Sequence, residues 1–140
     1  MSEKYTNILV AVDGSKGAEL ALEKAINIAK KHDATLHLVH VVEQYPLPGD
    51  TGSIRKTQEK LGNELLDKYI KIVQENGITK VEKILSFGHP RSHISKKTAK
   101  EVNADLIVCG ATGLNAVERL IGSVSENIAR TAPCDVLIAR

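Results

Sequence analysis

Aromatic residues and cysteines are scarce in this chain. Its 140 residues include three Tyr, one Phe, no Trp and only two Cys. Single-strand-binding surfaces stack bases on aromatic side chains, so we expect no surface of that kind. Cys109 and Cys134 lie in or beside apolar stretches, and neither has a His or Cys neighbour at metal-ligand spacing. This arrangement favours two buried thiols in a reducing compartment over a metal site.

The chain also lacks a large charge excess and a long apolar run. Lys and Arg number 19 and Asp and Glu 17, a formal charge of +2 that predicts neither a nucleic-acid nor an anionic-membrane partner. The polar start leads into an apolar run of five residues, 8–12, which fits neither a signal peptide nor a membrane span. With 42% hydrophobic and 26% charged residues, we expect one cytoplasmic domain over residues 1–140.

Two kinds of apolar pattern alternate along the chain. Continuous β-branched runs predict buried strands at 8–12, 35–42, 81–86, 106–109 and 136–139. Helical periodicity predicts helices at 17–32, 54–75, 90–102 and 124–131. In the second helix, Leu66, Ile70 and Val73 share a face, beside Leu65, Tyr69 and Ile72. The order βαβαβαβαβ predicts an α/β fold with one five-stranded parallel sheet, right-handed crossovers and helices on both faces.

Ligands of open α/β sheets bind beyond the carboxyl ends of the strands, where the strand order reverses. We expect the first and fourth strands to be central neighbours, so this point lies between Asp13 and Gly110. Asp13 is the best acidic candidate there: it can ligate a Mg²⁺ that bridges phosphates, or accept a hydrogen bond from ribose or adenine. Alternatively, Asp13 caps the helix that follows Gly14.

Glycines dominate the segment after the fourth strand. Gly110-Ala-Thr-Gly113 is followed, eight residues later, by Gly122-Ser123 at the start of a helix. Glycines let backbone N–H groups approach a phosphate, and a helix N-terminus adds free donors, so this segment predicts an anion site. The Ser123 hydroxyl and Arg119 can reach the same anion. Two other interpretations stay open: Ser123 forms a capping box with Glu126, or the glycines only make a tight strand exit.

Signatures of other catalytic and nucleotide sites are missing. There is no G-x-x-x-x-G-K-[ST], which excludes a P-loop, and no G-x-G-x-x-G after the first strand, which argues against a dinucleotide site. No Ser-His-Asp or Cys-His spacing predicts a nucleophile. His89 and His93 stand four residues apart but lack a third metal ligand, and His37 and His40 fall on opposite faces of a strand.

Taken together, several segments resemble the universal stress protein family over essentially the full chain. They are Ile8-Leu-Val-Ala-Val-Asp-Gly-Ser15, His40-Val41-Val42, Gly88-His-Pro90, Gly110-Ala-Thr-Gly113 through Gly122-Ser-Val-Ser125, and Ala132-Pro-Cys-Asp-Val-Leu-Ile138. The resemblance implies a Rossmann-like or flavodoxin-like α/β fold, a role in stress responses, and membership of the subclass that binds ATP. One departure is visible: eight residues separate Gly113 from Gly122, where the ATP-binding pattern usually has nine.

The resemblance also implies a set of nucleotide-binding residues. Asp13 and the backbone of Val41 would hold the adenosine end, and the glycines with Ser123 and Val124 would surround the phosphates. Asp13 is the candidate ligand for magnesium. Ser125, one turn into the last helix, is a position where the helix dipole would favour phosphorylation. The full predicted set is Ala11, Val12, Asp13, Val41, Gly110, Gly113, Arg119, Gly122, Ser123, Val124 and Ser125.

The last predicted strand, residues 136–139, is apolar and lies at a sheet edge. The family resemblance and this edge together predict a homodimer paired through that strand, whereas a covered edge would leave a monomer. We expect a regulatory protein that binds an adenine nucleotide and acts as a sensor of ATP. Its protein partners are unknown. Two alternatives stay open: a nucleotide-free dimeric interaction module of the same fold, and a slow ATP hydrolase.

Overall fold

Strands and helices alternate along the chain in the computed structural model, which describes residues 4–43, 52–88, 93–111 and 123–140. The strands are β1 Asn7–Ala11, β2 Thr35–Val42, β3 Val81–Phe87, β4 Leu106–Gly110 and β5 Asp135–Ala139. The helices are α1 Lys16–His32, α2 Ser53–Glu75, a π-helix His93–Thr98 continued by α3 Ala99–Glu101, and α4 Ser123–Thr131. The predicted order of elements is therefore confirmed.

The described strands form one parallel sheet in the order β3-β2-β1-β4-β5. β1 pairs with β2 on one side and with β4 on the other, for example Ile8 with Leu36 and with Leu106. The chain thus reaches one edge of the sheet at β3 and then crosses back to lay β4 beside β1. This reversal places the switch point between the carboxyl ends of β1 and β4, as predicted.

Both faces of the sheet are covered because the central strands carry apolar side chains on both faces. Ile8 and Val10 pack with α1 and α2, and Leu9 packs on the opposite face with α3 and α4. All three side chains are fully buried. Helices on both faces, and the α/β fold class, are therefore confirmed.

Two local details differ from the sequence-based expectation. In α2 the buried positions are Gly62, Leu66, Tyr69 and Val73, whereas Ile70 is only half-buried. The helix expected from residue 90 has π geometry over His93–Thr98, with residues 89–92 outside the described part. No helix in the described ranges is long and apolar enough to cross a membrane.

Candidate functional site

The turn between β1 and α1 is built by two side chains that satisfy backbone donors. Oδ1 of Asp13 accepts a hydrogen bond from the Ser15 N–H at 2.9 Å. Oγ of Ser15 accepts from the Ala18 N–H at 3.1 Å, so Ser15 is the N-cap of α1. The alternative in which Asp13 caps this helix is therefore wrong. Asp13 instead closes the turn ahead of the cap and lies at the positive end of α1.

Gly110 brings the end of β4 against the first turn of α1. A Cβ added at Gly110 would stand 2.6 Å from the carbonyl carbon and oxygen of Gly17. The missing side chain is therefore required by close packing of two backbones. As a result, the N-terminus of α1 and the exit of β4 meet at the predicted switch point.

The residue after β4 is held from two sides. Ala111 donates its N–H to the carbonyl of Ala139 at 2.9 Å, and its own carbonyl accepts the Ser125 hydroxyl at 2.9 Å. Ser125 is 3% exposed. This hydroxyl therefore ties α4 to the exit of β4, and its phosphorylation would require that bond to break.

The backbone of β2 extends past the end of β1. Odd-numbered residues of β2 direct their peptide groups toward β1: Thr35 donates to Thr6, and Val39 accepts from Val12 at 2.9 Å. Val41 is the next residue in this series, and the ladder would continue with its N–H on the Val12 carbonyl. In the described ranges no backbone hydrogen bond joins Val41 to Val12.

The Val12 carbonyl accepts instead from a side chain. Nδ1 of His40 lies 2.8 Å from that oxygen, and a carbonyl only accepts, so Nδ1 carries the proton. His40 packs beside Gly62 of α2, where an added Cβ would come within 3.3 Å of its Cδ2. Sequence reasoning missed this contact because it pairs the side chain of one strand with the backbone of another. His37, by contrast, bonds Asn7 on the other face, which confirms that the two histidines point apart.

Beneath the same turn, α2 places a tyrosine hydroxyl. Tyr69 is 1% exposed, and its oxygen has no hydrogen-bond partner in the described part of the chain. Burial, with the carboxylates of Glu19 and Asp13, raises the pKa of Tyr69, whereas the nearby Gly14 N–H acts in the opposite direction. The phenol therefore keeps its proton and supports the turn as a neutral group.

The remaining predicted residues fall into three groups. Ala11 ends β1, and Val124 in the first turn of α4 packs partly on the core. Ser123 begins α4, and Glu126 pairs with Arg130 on the same helix. The Ser123 side chain lies outside the described part, so the predicted capping box with Glu126 stays a prediction. Three predicted phosphate-site residues, and one histidine of the suggested pair, lie outside the described residues: Gly113, Arg119, Gly122 and His89.

The described ranges hold no cluster of three His, Cys, Asp or Glu side chains that could bind a metal. Both cysteines are free thiols, Cys109 buried and Cys134 half-buried. Burial raises the pKa of Cys109 to about 11. Burial, together with Asp135 and Asp105, also raises the pKa of Cys134. Both thiols are therefore protonated near neutral pH, which fits packing rather than ligation.

Comparison with known proteins identifies relatives along the whole chain. The sequence profile described as the universal stress protein family matches residues 4–140. A protein of Staphylococcus haemolyticus assigned to the universal stress proteins is 46% identical over 97% of this chain and 85% of its own length. The structure of the universal stress protein UspA from Lactobacillus plantarum superposes with a TM-score of 0.89 at 30% identity, covering 99% of this chain and 100% of that one.

Two of the similar structures contain adenine nucleotides. A universal stress protein in complex with cAMP has a TM-score of 0.77 at 29% identity, over 99% of both chains. The universal stress protein from Archaeoglobus fulgidus in complex with dAMP has a TM-score of 0.72 at 26% identity, over 99% of this chain and 100% of that one.

Proposed function

This chain belongs to the universal stress protein family, and from that premise we propose that it binds an adenine nucleotide, ATP, at the carboxyl edge of its sheet and acts as a regulatory sensor. Relatives in complex with cAMP and dAMP support the nucleotide class. Nucleotide occupancy would favour one conformation, which protein partners would read.

The observation that carries this proposal is the pair of peptide groups at Val41. Its N–H and C=O point beyond the end of β1 and have no described backbone partner on that side. A peptide N–H and C=O together match the acceptor and donor on the edge of adenine. Buried peptide groups are nearly always paired, so a ligand at this position supplies what the sheet leaves open.

The phosphates would lie toward α1 and α4. The contact of Gly110 with Gly17 brings the exit of β4 to the N-terminus of α1, and the hydrogen bond from Ser125 to the Ala111 carbonyl holds the first turn of α4 at the same exit. Helix N-termini offer free N–H donors and the positive end of a dipole, both of which favour an anion. This supports a phosphate position at that edge; Gly113 and Gly122, which the sequence assigns to the same site, lie outside the described residues.

The chemistry of Asp13 fits a magnesium ion held jointly by the protein and the nucleotide. Mg²⁺ usually takes one or two carboxylates together with phosphate oxygens and water. Asp13 uses Oδ1 for the Ser15 N–H, and the described residues place no hydrogen bond on Oδ2. Asp13 would hold the ion, which would neutralise phosphate charge; alternatively the same oxygen accepts a ribose hydroxyl.

We also propose that the protein pairs with a second copy through β5. This strand has a described neighbour on one side only, β4. Val136, Leu137 and Ile138 along it are half-buried, and an apolar unpaired edge is a template for another strand.

The first experiment is release of small molecules from purified, denatured protein, followed by anion-exchange separation with mass detection. ATP or ADP near one per chain is the result that supports the proposal. If none is released, calorimetric titration with MgATP and with cAMP tests the same site. Protein that binds neither at millimolar concentration would refute nucleotide binding and favour the interaction module.

Asp13→Asn tests the assigned site. Loss of a charge-assisted contact costs about 1.5–3 kcal/mol, so we expect ATP binding to weaken by at least about tenfold. Asp33→Asn is the matched control, because Asp33 lies at the opposite end of α1 and its left-handed backbone suits Asn. Equal affinity in both variants would show that Asp13 does not contact the nucleotide. Conversion of ATP to ADP that Asp13→Asn abolishes would instead favour the hydrolase.

A further inference from the structure

The ladder between β1 and β2 ends at a position where its backbone geometry would allow one more hydrogen bond. Val12 still donates its N–H to the Val39 carbonyl at 2.9 Å. In a parallel ladder the same residue would then accept the N–H of Val41. The described hydrogen bond to the Val12 carbonyl comes from His40 Nδ1, at 2.8 Å, and not from Val41.

The imidazole of His40 is held in the position that makes this contact. Its ring lies over Gly62, where an added Cβ would come within 3.3 Å of Cδ2 and within 2.6 Å of Leu85 Cδ1. A larger residue at position 62 would crowd both side chains. The glycine of α2 therefore leaves the room that the ring occupies beside the end of β1.

We propose that His40 is a positioning residue for the adenine base: by donating its Nδ1–H to the Val12 carbonyl, it keeps that oxygen from the Val41 N–H and leaves the peptide groups of Val41 for the nucleotide. This inference rests on the proposed nucleotide site and adds to it a reason why Val41 is available. His40 itself touches the backbone, not the ligand.

Substitution of His40 by Leu and by Asn distinguishes the effect of the N–H donor from that of the imidazole ring. His40→Leu removes the donor, so the Val12 carbonyl pairs with Val41 and ATP binds about five- to tenfold more weakly, the effect of one hydrogen bond. His40→Asn keeps an N–H donor at the position of Nδ1, and we expect it to restore most of the affinity. Thermal unfolding of each variant checks that the fold is retained.

Binding of inorganic tripolyphosphate shows whether a variant loses only its contacts with the adenine base or loses the whole nucleotide site. Because it has no base, its affinity is expected to be equal in the wild-type protein and in His40→Leu. A parallel loss of ATP and tripolyphosphate binding would overturn the proposal, as would His40→Leu with wild-type affinity for ATP. If the wild-type protein binds neither ATP nor cAMP, the proposed function itself has failed.

Hydrogen exchange at the Val41 amide gives a test that needs no nucleotide. We expect this amide to exchange faster in the wild-type protein than in His40→Leu, where the Val12 carbonyl protects it. The amide of Val39, which lies one step earlier in the same ladder, is the internal reference and is expected to exchange equally in both. Equal exchange of Val41 in the two proteins would overturn the positioning role whatever the nucleotide result.

Discussion

His37 is a buried histidine whose two ring nitrogens face different oxygens. Nε2 lies 3.0 Å from Oδ1 of Asn7, which can only accept, so Nε2 carries a proton. Nδ1 lies 3.4 Å from a carboxylate oxygen of Glu82, across the β2–β3 pairing. Burial lowers the pKa of His37 below 6.5, and Glu82 opposes this with a smaller upward effect. The ring is therefore neutral in the folded protein under conditions where the unfolded chain has begun to bind a proton.

This difference predicts a loss of stability in mild acid. Above pH 6.5 this ring is neutral in both the folded and the unfolded state, and its protonation costs the folded state nothing. As the pH falls through 6.5 toward the lower folded pKa, the unfolded state binds more protons than the folded state, and this binding stabilises the unfolded state. We expect the free energy of unfolding to fall between pH 7 and pH 5 by more in the wild-type protein than in His37→Gln.

Glu82→Gln provides the second arm of this test. Removing the carboxylate takes away the upward effect, so the folded pKa drops further and the acid loss becomes larger than in the wild-type protein. Chemical denaturation at a series of pH values measures all three proteins. Superimposable pH profiles of wild type and His37→Gln would show that other groups cause the acid sensitivity.

At the scale of elements, the contact between β4 and α1 is a close approach of two backbones. A methyl group at Gly110 would stand 2.6 Å from the Gly17 carbonyl, and backbone cannot move aside as the tip of a side chain can. We expect Gly110→Ala to lower the free energy of unfolding by about 1–3 kcal/mol, the cost of overpacking. It should also weaken ATP binding, because the N-terminus of α1 must shift.

Gly77→Ala is the control for this prediction. Gly77 follows α2 with φ +88° and has nothing within 4 Å of an added Cβ, so only the left-handed backbone penalty of about 1–2 kcal/mol applies. The two variants should lose comparable stability, but only Gly110→Ala should lose nucleotide affinity. Denaturant titration and calorimetry measure the two effects separately, and unchanged ATP binding in Gly110→Ala would contradict the assignment of this edge.

Most elements could be predicted from sequence because their signals are local. The strand predicted at 35–42 is β2, and the other strand and helix boundaries agree within one residue, apart from the helix that contains the π segment. The presence of Asp13 and Val41 at the carboxyl edge follows from strand order alone.

What could not be predicted depends on contacts between elements. Position 110 requires glycine because the backbone of Gly17 lies too close for a side chain. The hydrogen bond of His40 joins its side chain to the Val12 carbonyl, beyond the end of the neighbouring strand. Neither contact can be recognised from the hydrophobic periodicity of the sequence. Tyr69 rather than Ile70 is buried in α2 because the rotation of the helix about its axis is set by what it packs on. The π-helix likewise has no sequence signature here.

At the scale of the whole molecule, the two edges of the sheet differ. β3 carries Glu82 and Lys83, both exposed, and charged side chains discourage pairing at an edge. β5 is apolar from Val136 to Ile138 and half-buried there. This asymmetry favours β5 over β3 as the strand that meets a second copy, and a two-fold pair through β5 occupies that edge in both copies.

Proline at position 138 tests this pairing directly. The carbonyl of Ala139 accepts from Ala111 on the β4 side, so the peptide groups of Ile138, one residue earlier, point away from β4. Ile138→Pro removes an outward N–H without breaking the ladder to β4, and we expect it to convert a dimer to a folded monomer in sedimentation velocity. Ile138→Ala loses similar packing but keeps the N–H, so it should remain dimeric. Lys83→Pro, at the opposite edge, should also remain dimeric. A wild-type protein that sediments as a monomer at every concentration, or an Ile138→Pro dimer, would mean that β5 is not the interface.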